Sequence, residues 1–467
     1  MKSAYKIASC VWVLASVGAI GGCGGGSTTG TTGTGGESGT TTTSSTGTGG
    51  EGGGAGTSST GTGGVACVPV DDKNPCTDDV CENGAPTNKP SAEGTPCTEG
   101  GTECDGAGKC ITPACNLTLG IPALPVTTAG QNPLSVLAAD LDSDGKLDLA
   151  VASSGAASTV SVLIGKGDGT FAAAVDTPTG LLSSSVTTAD LNGDGKLDVV
   201  VANLGNDNVS VMINQGAGVF APAIKYGVGD GPFSVTTADV NGDGTPEIIT
   251  ANYNSNNTSV LINLGDGTFA PPLNYGVSTQ PYSVMAADFN GDGKNDLAVG
   301  CNISHALSVL INKGDGTFNG SISYAAGDGP RSVLAADLNG DTKIDIAIAN
   351  SGSSTKGDVS VLMGQGDGSF LSAVSYPAGS APYSITALDM DGDAKPDLVV
   401  ANNDSNNVSV LVNKGDGTFA AAVDFDAGSS PTSVAAADFN GDGRPDLAVT
   451  GTGGVTVLLN TCVPVKK

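Results

Sequence analysis

The sequence predicts an all-β fold: a seven-bladed β-propeller with calcium-binding loops, preceded by a small disulfide-rich module. Three observations carry this. One unit recurs seven times, its first acidic-loop residues standing at Asp140, Asp190, Asp239, Asp288, Asp337, Asp389 and Asp438, at intervals of 50, 49, 49, 49, 52 and 49. Each unit holds turn signals and β-branched, alternating segments enough for four short strands. Each also carries the same acidic loop between its first two strands. Four strands repeated every 49 or so residues, seven times, match a propeller. A nonapeptide β-helix is excluded, since the period is far longer than nine.

Composition limits the function classes. The chain has 467 residues, 72 of them Gly, and only 14% charged. Lys+Arg number 19 against 47 Asp+Glu, a net charge of −28, which excludes a basic nucleic-acid footprint. The single His, His305, cannot build a multi-histidine metal site, and a catalytic triad is hard to assemble around it. The single Trp, Trp12, falls in the leader described next, so the mature chain would have none for stacking on sugars.

Residues 1–22 read as a secretory leader. Lys2 and Lys6 form a positive start, and Ile7 to Ile20 is mostly apolar. That stretch is shorter than the ~20 residues a membrane span needs. It ends Ile20-Gly21-Gly22-Cys23, which resembles a bacterial lipobox. The resemblance implies that Cys23 is lipidated and becomes the first mature residue. Gly24 follows where the best-known inner-membrane retention signal has Asp, so the expected location is the outer membrane, exposed at the cell surface. Residues 23–64 are then the anchor and a tether: beyond Cys23 only Glu37, Glu51 and Ala55 interrupt Gly, Ser and Thr. Such a run cannot bury a core and behaves as a flexible coil.

Residues 65–112 hold Cys67, Cys76, Cys81, Cys97, Cys104 and Cys110. Six Cys among few large apolar residues read as a disulfide framework in an oxidising compartment, with fifteen connectivities open. Zinc is the rival reading; irregular spacing and the lack of a nearby His disfavour it. Outside this cluster and the leader remain Cys115, Cys301 and Cys462.

Residues 113–467 are the repeat. In the first unit the expected strands are Ser135–Asp140, Asp148–Ser153, Val160–Ile164 and Thr170–Val175, the last entered through an Asp-Gly turn at Gly167–Gly169. Small residues such as Ala138, Ala139, Ala335 and Ala336 suit a crowded strand at the axis.

The loop pattern is Asp-x-[Asp/Asn]-x-Asp-[Gly/Thr/Ala]-x-x-[Asp/Glu]. Oxygens at positions one, three, five and nine, with a backbone carbonyl at seven, would converge on one point in a tight turn. Ca²⁺ takes 6–8 oxygens, whereas Mg²⁺ keeps waters in a strict octahedron, so the dense oxygen set favours Ca²⁺. The expected ligands are Asp140, Asp142, Asp144 and Asp148; Asp190, Asn192, Asp194 and Asp198; Asp239, Asn241, Asp243 and Glu247; Asp288, Asn290, Asp292 and Asp296. The remaining three loops supply Asp337, Asn339, Asp341 and Asp345; Asp389, Asp391, Asp393 and Asp397; Asp438, Asn440, Asp442 and Asp446. These sets hold three carboxylates in five loops and four in the loops at Asp140 and Asp389, 23 of the 47 acidic residues. The loop is not an EF-hand, because position twelve of the first is Val151, not Glu.

With this loop matched in all seven units, the chain resembles the FG-GAP/VCBS family, which includes the integrin-type propellers. The likeness spans residues 113–467 and implies calcium between the first two strands of the blades and a surface or secreted binding role, often adhesive. Three departures mark weaker sites. Thr342 and Ala394 stand where the other loops have Gly, and strain is expected if that position needs φ > 0. Glu247 lengthens its ligand arm by a methylene.

Other residues read as structural. Tyr226, Tyr275, Tyr324, Tyr376 and Phe425 recur six residues after the unit's Phe and suit inter-blade packing; Cys301 suits a buried free thiol, and His305 an exposed loop. The last unit ends at its third strand, Val455–Asn460. Counting back from Asp140 puts Ile121 at the start of the missing fourth strand, so the N-terminal segment should close blade seven. Cys115 and Cys462 flank that junction and are expected to form a disulfide. The expected function is a non-enzymatic surface lipoprotein, a monomer that binds an unidentified protein or glycan. A polysaccharide lyase or hydrolase, or a passive envelope component, is the alternative.

Overall fold

The computed structural model describes residues 130–352 and 357–461, together with the backbone pairing of the strands Thr77–Glu82, Ala85–Pro90, Glu103–Cys104, Cys110–Ile111, Cys115–Asn116, Leu119–Gly120 and Val463–Pro464. The leader, Cys23 and the tether lie outside the described residues. The chain forms two compact units, one comprising Leu14–Ile111 and the other chiefly Thr112–Lys467. In the first, Thr77–Glu82 pairs with Ala85–Pro90, and Glu103–Cys104 with Cys110–Ile111.

The second unit is a seven-bladed propeller. Blade 1 runs Pro133–Ala139, Asp148–Ser153, Thr159–Leu163 and Val175–Pro178, an antiparallel sheet in chain order. Blades 2 to 6 repeat this, their inner strands being Ser183–Ala189, Pro232–Ala238, Pro281–Ala287, Pro330–Ala336 and Pro382–Leu388. Blade 7 takes Ser433–Ala437, Asp446–Gly451 and Gly454–Asn460 from the C-terminus and Leu119–Gly120 from the N-terminal side.

Blade 7 is therefore completed by strand exchange, with one correction. Leu119, not Ile121, pairs with Asn460, as Phe419 pairs with Asn413 in blade 6. The connection from that residue to the next inner strand is two residues longer than elsewhere, and counting from the acidic loop assumed equal lengths. The pairing continues as Asn116 opposite Val463 and Cys115 opposite Pro464. Cys462 and the side chain of Cys115 lie outside the described residues.

The fourth strands also differ from expectation. After the Gly-Asp-Gly turn, the chain makes one isolated bridge, Gly165 to Phe171, before regular pairing resumes at Val175–Pro178. The same bridge recurs with Phe220, Phe269, Phe318, Phe370 and Phe419. Each bridging Phe is a peg between blades. Tyr226 meets Phe269 edge-on at 5.2 Å, and Tyr275–Phe318, Tyr324–Phe370 and Tyr376–Phe419 repeat that contact. The inter-blade packing expected for these tyrosines is what the structure has.

The ring is closed by a second device. The third inner-strand residue of blades 1 to 6, and the equivalent Ser433 that opens the inner strand of blade 7, is a buried Ser whose Oγ accepts a backbone N–H from the next blade. Ser135 serves Val186, Ser185 serves Val235, Ser234 serves Val284, Ser283 serves Val333, Ser332 serves Ile385 and Ser384 serves Val434. Ser433 accepts from Val136 at 3.3 Å and joins blade 7 to blade 1. Inner-strand N–H groups that face no sheet partner are thus satisfied around the whole axis.

Candidate metal centres in the acidic loops

Each acidic loop is wound on its own carboxylates. The first Asp accepts the N–H of position six through Oδ2 in all seven loops, from Gly145 at 3.0 Å in the first to Gly443 at 2.8 Å in the last. Position three accepts the N–H of position five, and position five that of position seven, again in every loop. This winding needs left-handed backbone at two places. Position six has φ near +80° where it is Gly, and Thr342 and Ala394 adopt +70° and +65°, the strained geometry expected of them. Position four needs it too, and there the first loop carries Ser143 at +65°.

The ninth residue does more than sequence reasoning gave it. Asp148 is fully buried; its Oδ2 accepts the Leu141 N–H at 2.8 Å and its Oδ1 the Gly165 N–H at 2.7 Å. The other six repeat this brace between the loop and the end of the third strand. Glu247 manages it with a longer bond, 3.4 Å to the Asn263 N–H, and accepts from Asn241 Nδ2 at 3.1 Å.

Carboxylate oxygens of Asp140, Asp142 and Asp144 lie within 4.8 Å of one another, as do those of Asp389, Asp391 and Asp397. These are the two loops with Asp at position three. Burial, opposed by backbone N–H donors and reinforced by neighbouring carboxylates, pushes Asp397 up to about 7 and Asp296 and Asp446 to about 6. Glu247 also rises to about 6, and burial moves Asp148, Asp198 and Asp345 the same way. In each loop one buried carboxyl thus stands close to further acidic groups that raise its pKa, an arrangement in which a cation would relieve the repulsion.

The sequence reading missed a cation already present. Position seven is Lys or Arg in six loops, and it pairs with the fifth carboxylate: Lys146–Asp144 at 2.6 Å, Lys196–Asp194 at 2.7 Å and Lys395–Asp393 at 2.6 Å, with looser pairs at Lys294, Lys343 and Arg444. In the third loop Thr245 Oγ1 donates to Asp243 instead, at 2.6 Å. The Lys hydrogen bond holds Asp144 and Asp194 below the ordinary carboxylate range. The signal was legible as a basic residue recurring two places after the fifth position.

All seven loops connect first to second strands, so they share one rim. The opposite rim carries the other expected features. Cys301 is buried and free, and burial pushes its thiol up to about 11. His305 is about half exposed, yet its Nδ1 accepts the Gly329 N–H at 3.0 Å. Asp207, Asn256 and Asn406 do the same with their oxygens, so His305 substitutes for an acceptor.

A family model described as an FG-GAP-like repeat matches residues 140–201, 190–250, 239–299, 288–348, 337–400 and 389–449. The chain belongs to this family. No curated protein matches it in sequence. Among solved structures, this FG-GAP repeat protein is similar to a catalytically inactive H270A virginiamycin B lyase from Staphylococcus aureus, with 13% identity, TM-score 0.51, and 74% of this chain and 99% of that one covered. It is similar to a putative 6-phosphogluconolactonase from Bacteroides fragilis NCTC 9343, with 18% identity, TM-score 0.51, and 66% and 88% covered. A chain of the BBS1N complex with ARL6DN aligns at 12% identity and TM-score 0.52 over 74% and 96%. At such identities these likenesses show the propeller fold alone.

Proposed function

We propose that this FG-GAP repeat protein is a calcium-binding surface lipoprotein whose propeller is a non-catalytic binding module for a protein or glycan. The observation that carries the calcium part is the acidic set, with its ninth carboxyl buried, repeated in seven self-wound loops. Position one, three, five and nine side chains would hold the ion, and Ca²⁺ would supply charge compensation and rigidity. The Lys or Arg at position seven serves as a counter-ion that the metal would displace from the fifth carboxylate.

Two groups that a nucleophilic mechanism could use are moved away from reactivity, in keeping with the non-catalytic part. Burial drives the Cys301 thiol up to about 11 and the Tyr282 phenol up to about 12. The lyase or hydrolase alternative rests on fold likeness alone.

Lipidation at Cys23 and the Gly/Ser/Thr tether would hold the module off the outer membrane as a monomer. Two experiments test the reading. Full-length protein immobilised with and without chelator is exposed to envelope and matrix extracts; a calcium-dependent retained fraction supports it, and catalysis on a polysaccharide panel overturns it. Cys23→Ser should release the protein from the membrane fraction, and unchanged partition would end the anchor reading.

A further inference from the structure

Where the repeats agree, the scaffold sets the residue; where one unit departs from the rest, another cause is needed. The second residue of the outer strand is Asp176, Asn274 and Asp424 in blades 1, 3 and 6, and each accepts a hydrogen bond from the third-strand Ser beside it, at 2.6–2.8 Å. Blades 4 and 5 use Ser323 and Ser375, each within a side-chain hydrogen bond of its own. Blade 2 has Lys225. Its neighbour Ser210 accepts from Asn203 Nδ2 at 2.9 Å, as Ser259 and Ser409 accept from Asn252 and Asn402, and Lys225 is exposed and forms no ion pair among the described residues.

Lys225 borders a cavity of about 270 Å³ between blades 1 and 2, on the rim opposite the acidic loops. Ala156 and Leu181 give it an aliphatic wall; Ser158, Thr179 and Asn206 give it a polar one. The walls are tied together. Asn206 Oδ1 accepts the Leu181 N–H at 2.5 Å, and Ser158 Oγ accepts the Leu182 N–H at 3.0 Å. Leu182 sits at φ +55°, the left-handed backbone that the equivalent Asn132, Gly231, Gln280, Gly329, Ala381 and Ser430 share. Leu181, its neighbour, remains 56% exposed. The turn itself is common to all seven blades; the departure is Leu181, where the other blades carry Gln131, Asp230, Thr279, Asp328, Ser380 and Ser429, and it stands beside Lys225.

We propose that this cleft binds a carboxylate-bearing sugar residue. Lys225 pairs with the carboxylate, Ser158, Thr179 and Asn206 meet ring hydroxyls, and Ala156 and Leu181 cover the C–H face. The volume sits just below the roughly 300–1,000 Å³ of ordinary small-molecule pockets, which suits one ring. Against a net charge of −28 the field of the whole chain repels anions, so the carboxylate contact depends on Lys225 itself. This deepens the binding-module reading and rests on it.

The test is ligand-observed NMR on calcium-saturated full-length protein with D-glucuronate and, separately, D-glucose. Glucuronate is expected to bind about tenfold more tightly than glucose, and Lys225→Gln to remove about that factor while leaving the melting temperature unchanged. Equal binding of the two sugars, or a Lys225→Gln variant that binds glucuronate as the parent does, overturns the proposal. If extract polysaccharide is retained by parent and Lys225→Gln alike, this cleft is rejected while the binding-module reading stands.

Discussion

Asn214 donates its side-chain N–H to the Leu141 carbonyl of the preceding blade at 2.8 Å and to the Leu197 carbonyl of its own at 2.9 Å. One amide thus bridges two adjacent acidic loops. Asn263 joins Leu191 to Pro246, Asn312 joins Val240 to Asn295, and Asn413 joins Leu338 to Pro396. Asn460 reaches Met390. Blades 1 and 5 have Gly165 and Gly364 at this place, where a Cβ would run into the Leu147 and Ile344 carbonyls. There the N–H of Gly169 reaches Phe439 O at 2.9 Å, and that of Gly368 reaches Phe289 O at 3.0 Å. The two loops so served are the ones with Phe at position two, whose rings pack edge-on against Phe171 and Phe370.

Replacing Asn263 by Ala should therefore cost about 1–3 kcal/mol, because a buried and a half-buried carbonyl lose their donor. Thermal or urea unfolding measures it. Gly364→Asn should destabilise as well, since the side chain has no room; a neutral result for either would show that the bridge is not the coupling between blades.

The loop backbone gives a second, smaller effect. A side chain added at position six of the first loop would meet nothing within 4 Å, so φ alone sets the cost there. Thr342→Gly and Ala394→Gly should each gain up to about 1 kcal/mol, and Gly293→Ala should lose about as much. Unfolding midpoints of the three variants, taken with calcium present and absent, decide it.

How much of this was legible in sequence follows from what the period repeats. The blade count, the loop and the half-buried tyrosines each leave a residue type at fixed spacing. The Ser ring and the Asn bridges also do, but a lone Ser or Asn in a strand has no chemistry to announce it until the neighbouring blade is placed. The bracing role of Asp148 was hidden for the same reason: its partners, Leu141 and Gly165, are linked to it by the fold and not by the loop motif. Ile121 was misplaced because insertions in a connection do not show in a count from one anchor.

The ninth-position carboxyls fix the pH response. Their folded pKa values, about 7 for Asp397 and about 6 for Asp296, Asp446 and Glu247, stand above the unfolded ones, so the calcium-free native state binds extra protons between about pH 4 and 7. Stability of that state is greatest at the acid end of the window and is lost as pH rises through it. Calcium should take the place of these protons, and its affinity should rise over the same range. At ~1 mM Ca²⁺ and dissociation constants of ~10⁻⁴–10⁻³ M, seven sites would contribute ~3–10 kcal/mol. Melting in chelator should drop from pH 5 to pH 8, and melting in calcium should not. A chelated curve flat in pH, or one that coincides with the calcium curve, rejects the scheme.

Closure of the ring gives the last prediction. Blade 7 owes its outer strand to Leu119–Gly120, paired with Leu459 and Asn460, and the ladder runs on to Cys115 opposite Pro464. Without that segment the third strand of blade 7 would expose an unpaired edge. A bond between Cys115 and Cys462 would fasten the two ends of the propeller at the place where the other blades are continuous. It would close a loop of about 350 residues, which chain entropy values at no more than about 6 kcal/mol. Peptide mapping without reductant should recover the pair as one linked fragment, and reduction should lower the melting temperature of a Cys115-containing protein but not of Cys115→Ser. Cys115 recovered free, or joined to a cysteine of the 67–110 cluster, would mean that pairing of the backbone alone holds the ring shut.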